Sequence, residues 1–214
     1  MQIFAQNTIN IGIDESGRGS LVGSLFVSAA IIKDSNLEFI NQINDSKKLN
    51  KKKRENVFEL IKYSNKIIYS IDEVTLEEIE RCNVLQATLI GMERSILKIL
   101  TILSQNNEKK IINIIIDGNK IPKNINNEYL TAKFYNLNIN KIESIVQGDA
   151  KYYEIATASI IAKCTRDEYM IKLSLENKDK YLWSKNAGYG TKEHIELIKE
   201  NGCDEKHRKS FLKD

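Results

Sequence analysis

Gly12-Ile13-Asp14-Glu15-Ser16-Gly17-Arg18-Gly19 stands between two apolar, β-branched runs, Asn10–Asp14 and Val22–Ile32. The runs read as two strands joined by a glycine turn, a hairpin-like start. Two adjacent acids close the first strand, and the turn follows at once. Carboxylates at a strand terminus can hold a hard cation such as Mg²⁺, which prefers oxygen ligands. Glycines on both sides of an arginine let backbone amides approach a phosphate or a sugar. Metal and phosphate recognition within eight residues points to chemistry on a phosphodiester. An acidic turn at a strand end is the alternative.

Outward from this stretch, strands and helices alternate, the pattern of an α/β domain. Asn50 opens a helix to about Tyr63, with Val57, Leu60 and Ile61 on one side. Lys66–Ile71 reads as a third strand. Thr75 caps a short helix containing Leu76 and Ile79, and Glu78 completes a capping box. Leu85, Leu89, Met92, Ile96, Ile99 and Leu103 recur at helical spacing and predict a long helix packed on a sheet. Ile111–Ile116 is a continuous apolar run, as in a strand buried on both faces, and it ends in Asp117-Gly118-Asn119. After a polar loop at 120–127, Tyr129–Phe134 and Ile142–Val146 read as strands, the latter ending in Gln147-Gly148-Asp149. A helix is predicted from Tyr153 to Leu173, with a small-residue face at Ile155, Ala158, Ser159 and Ala162 that lets it sit close to the sheet. Gly188-Tyr189-Gly190 breaks the next loop, and Thr191 caps a last helix to about Glu200. The charged tail Asp204–Asp214 reads as a short helix or a frayed end.

Length and composition bound the rest. At 214 residues, 42% hydrophobic and 29% charged, the chain can fill a sizeable core as a single domain, 1–214, with a helical subregion from about residue 176. A net charge of +3 permits nucleic-acid binding without arguing for it. Cys82, Cys164 and Cys203 are far apart and odd in number, so neither a disulfide framework nor a zinc site is indicated, and a reducing, cytoplasmic setting is expected. Even Val84–Leu103 carries Glu93, Arg94 and Lys98, so no membrane span is expected. Met1–Asn10 lacks the basic start and cleavage site of a signal peptide.

Asp14 with Glu15, Asp117 and Asp149 each lie at or just past the end of an apolar run. In open α/β sheets such strand ends converge on one edge, where sites are built. Four carboxylates gathered there repel one another unless a metal neutralises them. Two Mg²⁺ ions about 4 Å apart are a known arrangement for in-line phosphodiester hydrolysis. Each acid taken singly also fits a turn former. The basic run Asp45-Ser46-Lys47-Lys48-Leu49-Asn50-Lys51-Lys52-Lys53-Arg54 extends into the first turn of a predicted helix. Cations there oppose the helix dipole by roughly 0.3–1 kcal/mol each, a cost that phosphate binding would offset. A solvated lysine cluster is the alternative for Lys51–Arg54.

Gly-Ile-Asp-Glu-Ser-Gly-Arg-Gly at 12–19, Asp-Ser-Lys-Lys-Leu at 45–49, Ile-Asp-Gly-Asn at 116–119 and Gly-Asp-Ala at 148–150 resemble motifs of ribonuclease HII, the type 2 ribonucleases H. So do Ile-Ala-Thr-Ala-Ser-Ile-Ile-Ala-Lys-Cys-Thr-Arg-Asp at 155–167 and Gly-Tyr-Gly-Thr-Lys-Glu-His at 188–194. The blocks keep the family's order over nearly the whole chain. The resemblance implies a ribonuclease-H-like mixed sheet flanked by helices, with a helical C-terminal region. It implies that Asp14, Glu15, Asp117 and Asp149 bind two divalent cations, Mg²⁺ or Mn²⁺. Gly17, Arg18 and Gly19 are then expected to read a ribonucleotide 2′-hydroxyl through their backbone, and Tyr189 to sit against the next sugar and disfavour a hydroxyl there. Lys47, with Lys48, is expected on the phosphate backbone, and Lys163 and Arg166 as further backbone contacts. His194 fits the last motif and is expected as a polar residue on a first helical turn. The implied activity is hydrolysis of the RNA strand of RNA–DNA hybrids and cleavage 5′ of single ribonucleotides in duplex DNA, by a monomer. The alternatives are a hybrid-only nuclease of the ribonuclease HIII kind and a catalytically silent binding module. Ser20 and Ser24 stand where the family usually has proline, which is expected to loosen the loop. Gln147 stands where lysine commonly precedes Gly-Asp, which is expected to weaken a local charge contact.

Overall fold

The computed structural model describes residue 1 and residues 8–34, 36–105 and 111–212. The strands are β1 (Thr8–Ser16), β2 (Leu25–Ile32), β3 (Ile67–Val74), β4 (Ile111–Asp117) and β5 (Asn138–Ile145), and they form one mixed sheet in the order β3-β2-β1-β4-β5. β1 and β2 are antiparallel, as the hairpin-like start requires, and β3 pairs antiparallel with β2. β4 and β5 run parallel to β1. The helices are α1 (Lys51–Tyr63), α2 (Leu76–Cys82), α3 (Val84–Ser104), α4 (Asn127–Lys133), α5 (Tyr153–Glu176), α6 (Trp183–Asn186) and α7 (Lys192–Asn201).

Alternation along the strands sorts side chains between two layers. Ile11 and Ile13 of β1, Ile112, Ile114 and Ile116 of β4, and Val27 and Ala29 of β2 pack with Met92, Ile96 and Ile99 of α3. On the other face, Ala30 of β2 meets Val57, Phe58 and Ile61 of α1 and Ala156, Ile160 and Ile161 of α5. Asn10, Gly12 and Asp14 point to that second face. Asn10 is tied there to Glu154 of α5, and its Oδ1 accepts from Asn113 of β4 at 3.1 Å. The register Ile13↔Ile116 leaves Asp14 and Asp117 at the next step of two adjacent parallel strands. Their neighbourhood is therefore a consequence of strand pairing.

The predicted caps are present. Asn50 Oδ1 accepts from Lys53 N–H at 2.9 Å, Thr75 and Glu78 form the capping box, and Thr191 caps α7 by accepting from His194 N–H. Other expectations need correction. Tyr129–Phe134 is not a strand: it lies within and at the end of α4, which Asn126 caps by accepting from Tyr129 N–H at 2.9 Å. Burial of Leu130 in the main core overrides the β-propensity of the aromatic residues. β5 begins at Asn138, earlier than the apolar run alone indicates. Leu60 and Leu85 remain exposed, because Phe58 takes the buried position on α1 and Ala87 on α3. β2 starts at Leu25 rather than Val22, and Val22 instead bridges His207 of the C-terminal tail. That tail carries a short 3-10 turn at Lys209–Phe211, and its last two residues lie outside the described residues. Among the described residues no helix is long and apolar enough to cross a membrane, and Cys82, Cys164 and Cys203 are free.

Gly12 sets how closely α5 approaches the sheet. A Cβ there would lie 2.2 Å from the carbonyl carbon of Glu154 and 2.3 Å from the nitrogen of Ile155, both backbone atoms that cannot swing aside. Gly12→Ala is therefore expected to push α5 off β1 and to lower stability by about 1–3 kcal/mol, as overpacking does. The midpoint of urea unfolding measures it; an unchanged midpoint would mean that α5 floats freely on the sheet.

Candidate active site

Asp14 near the end of β1 and Asp149 in a 3-10 turn (Gly148–Ala150) are each only 5% exposed. Glu15 follows Asp14, and Asp117 is the last residue of β4. After β5 the chain reverses through Gln147, whose backbone is left-handed (φ 56°, ψ 42°). This reversal aims Gly148 N–H at Asp117 Oδ1, at 2.7 Å, and brings Asp149 beside the strand ends. Glu15 N–H donates to Asp14 Oδ1 at 2.7 Å. Ser159 of α5 bonds Asp14 and lies 2.8 Å from the Ser46 hydroxyl, which joins the Asp45–Leu49 segment to the site.

The acids interact strongly. Burial, reinforced by the charges of Glu15 and Asp117, holds the Asp14 carboxyl well above the usual carboxylate range. Burial also raises Glu15, against the opposing pull of Arg18. Asp149 is raised by burial, then by Asp117 and Asp45, whose side chain bonds it. Partial burial acts against the Lys47 charge, but Asp14, Asp149, Asp45 and Asp117 outweigh it and hold the ammonium above the ordinary lysine range. Lys47 thus faces the acids. Lys48 is exposed, and its N–H donates to Asp45 O at 2.9 Å.

Among the described residues, no three His, Cys, Asp or Glu side chains are drawn into a ready cage for a metal ion. Asp14 and Asp117 each accept a backbone N–H on one oxygen. The donor set nevertheless fits hard divalent cations: it is all oxygen, it is largely buried, and Asp14, Glu15 and Asp149 are pushed toward protonation by burial and then by like charge, both of which a cation would offset.

A second cluster lies beside the acids. Gly17 has φ +99°, and a Cβ there would fall 2.0 Å from Arg166 Nε, whereas one at Gly19 would meet nothing within 4 Å. Arg18 extends outward and pairs with Glu15 at 3.1 Å. The turn is stitched to the Gly188-Tyr189-Gly190 loop: Ser20 bridges Tyr189, and Leu21 N–H donates to Gly188 O at 2.8 Å. The half-buried Tyr189 ring lies 5.2 Å from the Arg166 guanidinium and 5.8 Å from Lys163 Nζ. Lys163 pairs with Asp167 at 2.6 Å.

One reading changes here. Arg166 is completely buried and donates to Ala187 O at 2.9 Å, so it is a strut beneath the turn and not a phosphate contact. Ser20 and Ser24 each tie the loop through a side-chain hydrogen bond. The Ser20 hydroxyl donates to Gly188 O at 2.9 Å and accepts from Val22 N–H at 3.2 Å, and Ser24 bonds Glu73 at 2.7 Å. His194 lies on the first turn of α7, as expected, and is buried there. Its Nδ1 lies 2.9 Å from Tyr189 O, and its Nε2 accepts from Trp183 Nε1–H at 3.2 Å and lies 3.2 Å from His207 Nε2. Asp204 N–H donates to His207 Nδ1 at 2.8 Å. With both rings neutral, His194 Nδ1–H donates to Tyr189 O and His207 Nε2–H points at His194 Nε2, whose single lone pair is shared between His207 and Trp183. Burial lowers both histidines, which favours those neutral rings. Asp45 and His207 were also not among the predicted site residues. Asp45 stands inside the Asp-Ser-Lys-Lys-Leu block, a signal that was available; nothing local marks His207.

Comparison with known proteins places the chain in a family. The family model described as Ribonuclease HII matches residues 11–213. Ribonuclease HII of Pelagibacter ubique is 40% identical over 200 residues, which cover 94% of each chain. Ribonuclease H2 from Pyrococcus horikoshii is 25% identical in sequence and superposes with a TM-score of 0.61 over 94% of this chain and 93% of that one. Bst-RNase HIII, solved in complex with Mn²⁺, shares the fold at 20% identity, with a TM-score of 0.59 over 79% of this chain and 55% of its own. With the sequence match running from the first acid-bearing strand to the C-terminal tail, and the strand ends carrying the acids, the chain belongs to the ribonuclease HII family of endoribonucleases.

Proposed function

We propose that this enzyme hydrolyses the RNA strand of RNA–DNA hybrids and cuts 5′ of single ribonucleotides embedded in duplex DNA, leaving 3′-hydroxyl and 5′-phosphate ends. The observation that carries this reading is the adjacency of the buried acids to the stitched pair of loops, Gly17-Arg18-Gly19 and Gly188-Tyr189-Gly190. Asp14, Glu15, Asp117 and Asp149 are assigned to hold two divalent cations, Mg²⁺ or Mn²⁺. Bound there, such cations supply an activated water and neutralise charge on the phosphate under attack. Ser159 and the Glu15 N–H orient Asp14, and the Gly148 N–H orients Asp117. Lys47, standing over the acids, draws the phosphate backbone in, and Arg18 on the exposed side of the turn extends the basic rim. Backbone groups of Gly17–Gly19 bond the 2′-hydroxyl, which is what distinguishes RNA from DNA at one position. The Tyr189 ring packs on the following deoxyribose, held by the histidine pair behind its carbonyl.

The deciding experiment is cleavage of a duplex containing one ribonucleotide, in Mg²⁺ and in EDTA. Cleavage on the 5′ side in Mg²⁺ alone is expected; none with a single ribonucleotide but full activity on hybrid would assign the hybrid-only chemistry instead. Asp14→Asn should reduce turnover by orders of magnitude while raising the melting temperature in EDTA. The sign follows from the carboxyl's folded-state pKa, which lies above its unfolded value. The stability it contributes is present at low pH and lost as pH rises through the folded pKa, so at pH 7 the charge opposes folding. Each 1 kcal/mol recovered corresponds to about 2–4 °C in a domain of this size. A lower melting temperature would show that the Asp14 charge is satisfied without metal.

Lys47→Ala is expected to weaken binding to every duplex alike and to reduce the salt slope by about one. Because the Lys47 charge lowers Glu15 and Asp149, its loss should also move the acidic limb of the pH–rate profile upward. An unchanged slope and profile would make Lys47 an ordinary surface residue. Tyr189→Ala should lower cleavage at single ribonucleotides far more than cleavage of continuous hybrid. Rates of the same mutant on both substrates decide this, and equal losses would show that Tyr189 does not set junction preference.

A further inference from the structure

Two guanidinium groups lie beneath the Gly17–Gly19 turn, and among the described residues neither is paired with a carboxylate. Arg166 and Arg208 are both 0% exposed. Arg208 belongs to the C-terminal tail, which adds itself to the segment before β2: Gly23 N–H donates to Lys206 O at 2.9 Å, Arg208 N–H to Leu21 O at 2.7 Å, and His207 bridges Val22. The Arg208 side chain then reaches back along the same segment. Its Nε donates to Gly23 O at 2.9 Å and its Nη1 to Arg18 O at 3.0 Å. Arg208 Nη2 and Arg166 Nε are buried without a partner. A buried, uncompensated cation is costly to a fold, and two of them side by side are a feature that stability alone does not explain.

The contact with Arg18 has a directional consequence. In a trans peptide the C=O and the following N–H point in opposite directions. Drawing the Arg18 carbonyl inward onto Arg208 therefore turns the Gly19 N–H outward. Gly19 is exposed, a Cβ there would meet nothing within 4 Å, and its N–H has no acceptor among the described residues. An open donor thus stands at the rim of the site with positive charge buried behind it, which strengthens its bond to an oxygen acceptor.

We propose that Arg208 is a positioning residue for ribonucleotide recognition, its forked guanidinium holding the Arg18 and Gly23 carbonyls inward so that the Gly19 N–H is presented to the 2′-oxygen of the ribonucleotide. This rests on the reading of the Gly17–Gly19 turn given above. Arg208 itself touches neither substrate nor reacting atoms and acts through the Arg18 peptide.

The test is the ratio of affinities for two duplexes that differ only in one ribonucleotide, measured by fluorescence anisotropy in EDTA so that no cleavage intervenes. Arg208→Met is expected to lower the ribo-to-deoxy preference about tenfold, the weight of one well-placed hydrogen bond, while affinity for the all-DNA duplex stays within about twofold. Damage of a general structural kind would lower both affinities together and leave their ratio unchanged, and that result would overturn the proposal. Arg208→Lys keeps the buried cation but not the fork, since Arg18 O and Gly23 O are bonded by different nitrogens. It should lose most of the preference too, and it decides the matter if the Met variant does not fold; a folded Lys variant with the wild-type ratio would overturn the proposal. Absence of any preference in the wild-type protein would overturn the reading of the turn and the role of Arg208 with it, whereas a wild-type preference that survives in both variants removes only the role of Arg208.

Discussion

The close approach of α5 to β1 at Gly12 is the contact on which the site depends. With a backbone carbon of Glu154 only 2.2 Å from where a Cβ of Gly12 would be, the helix lies directly on the strand that carries Asp14. Every later turn of α5 then reaches a different part of the site. Glu154 meets Asn10, Ser159 bonds Asp14, Lys163 and Arg166 flank Tyr189, and Arg166 fills the space under Gly17. A helix held one side chain farther away would lose these contacts together. The precision of a site on a rigid element comes from this kind of packing.

Charge is distributed over the site against the interest of stability. On one side, Asp14, Glu15 and Asp149 are buried among like charges, and burial and repulsion raise all three. On the other, Arg166 and Arg208 are buried with carbonyls as their hydrogen-bond partners. Burial, with the neighbouring Arg166 charge, pushes Arg208 down to about 9. A fold optimised for stability would interleave these groups. Keeping them apart produces an anionic pocket suited to divalent cations next to a cationic floor beneath a backbone turn, the pairing that phosphodiester chemistry on a polyanion requires. Local violations of packing and charge rules of this kind gather where function is carried.

The loop side of the site is held from the C-terminal tail. Trp183, His194 and His207 form a buried aromatic cluster with Tyr181, and its hydrogen bonds end on the Tyr189 carbonyl. The same tail segment supplies Arg208 to the Arg18 carbonyl. Thus the two loops assigned to sugar recognition are stitched to each other by Ser20 and braced from behind by residues close to the chain's end.

Much of this was legible in the chain of residues. Apolar runs and helical spacing marked β1, β4, α3 and α5, and Asn50, Thr75 and Thr191 marked helix starts, because these signals are local: they depend on side-chain type and period and on the hydrogen bonds of a few neighbouring residues. The acids at strand ends were equally readable, since a carboxylate that interrupts an apolar run needs no distant partner to be noticed. What depended on distant partners was not. The helix at Asn127–Lys133 turned on burial of Leu130, and the start of β2 turned on Val22 pairing with His207 instead of continuing the strand. Arg166, read as a contact to substrate, proved to be a strut, because its exposure is decided by Gly17 and the Gly188 loop closing over it. The burial of His194 turned on Trp183 and His207, and Arg208 acquired its partner 190 residues away in a tail that reads only as charged. The physical reason is the same in each case: a residue's type and spacing state what chemistry it can offer, whereas burial and hydrogen-bond partners arise only when segments far apart in the chain are brought into contact.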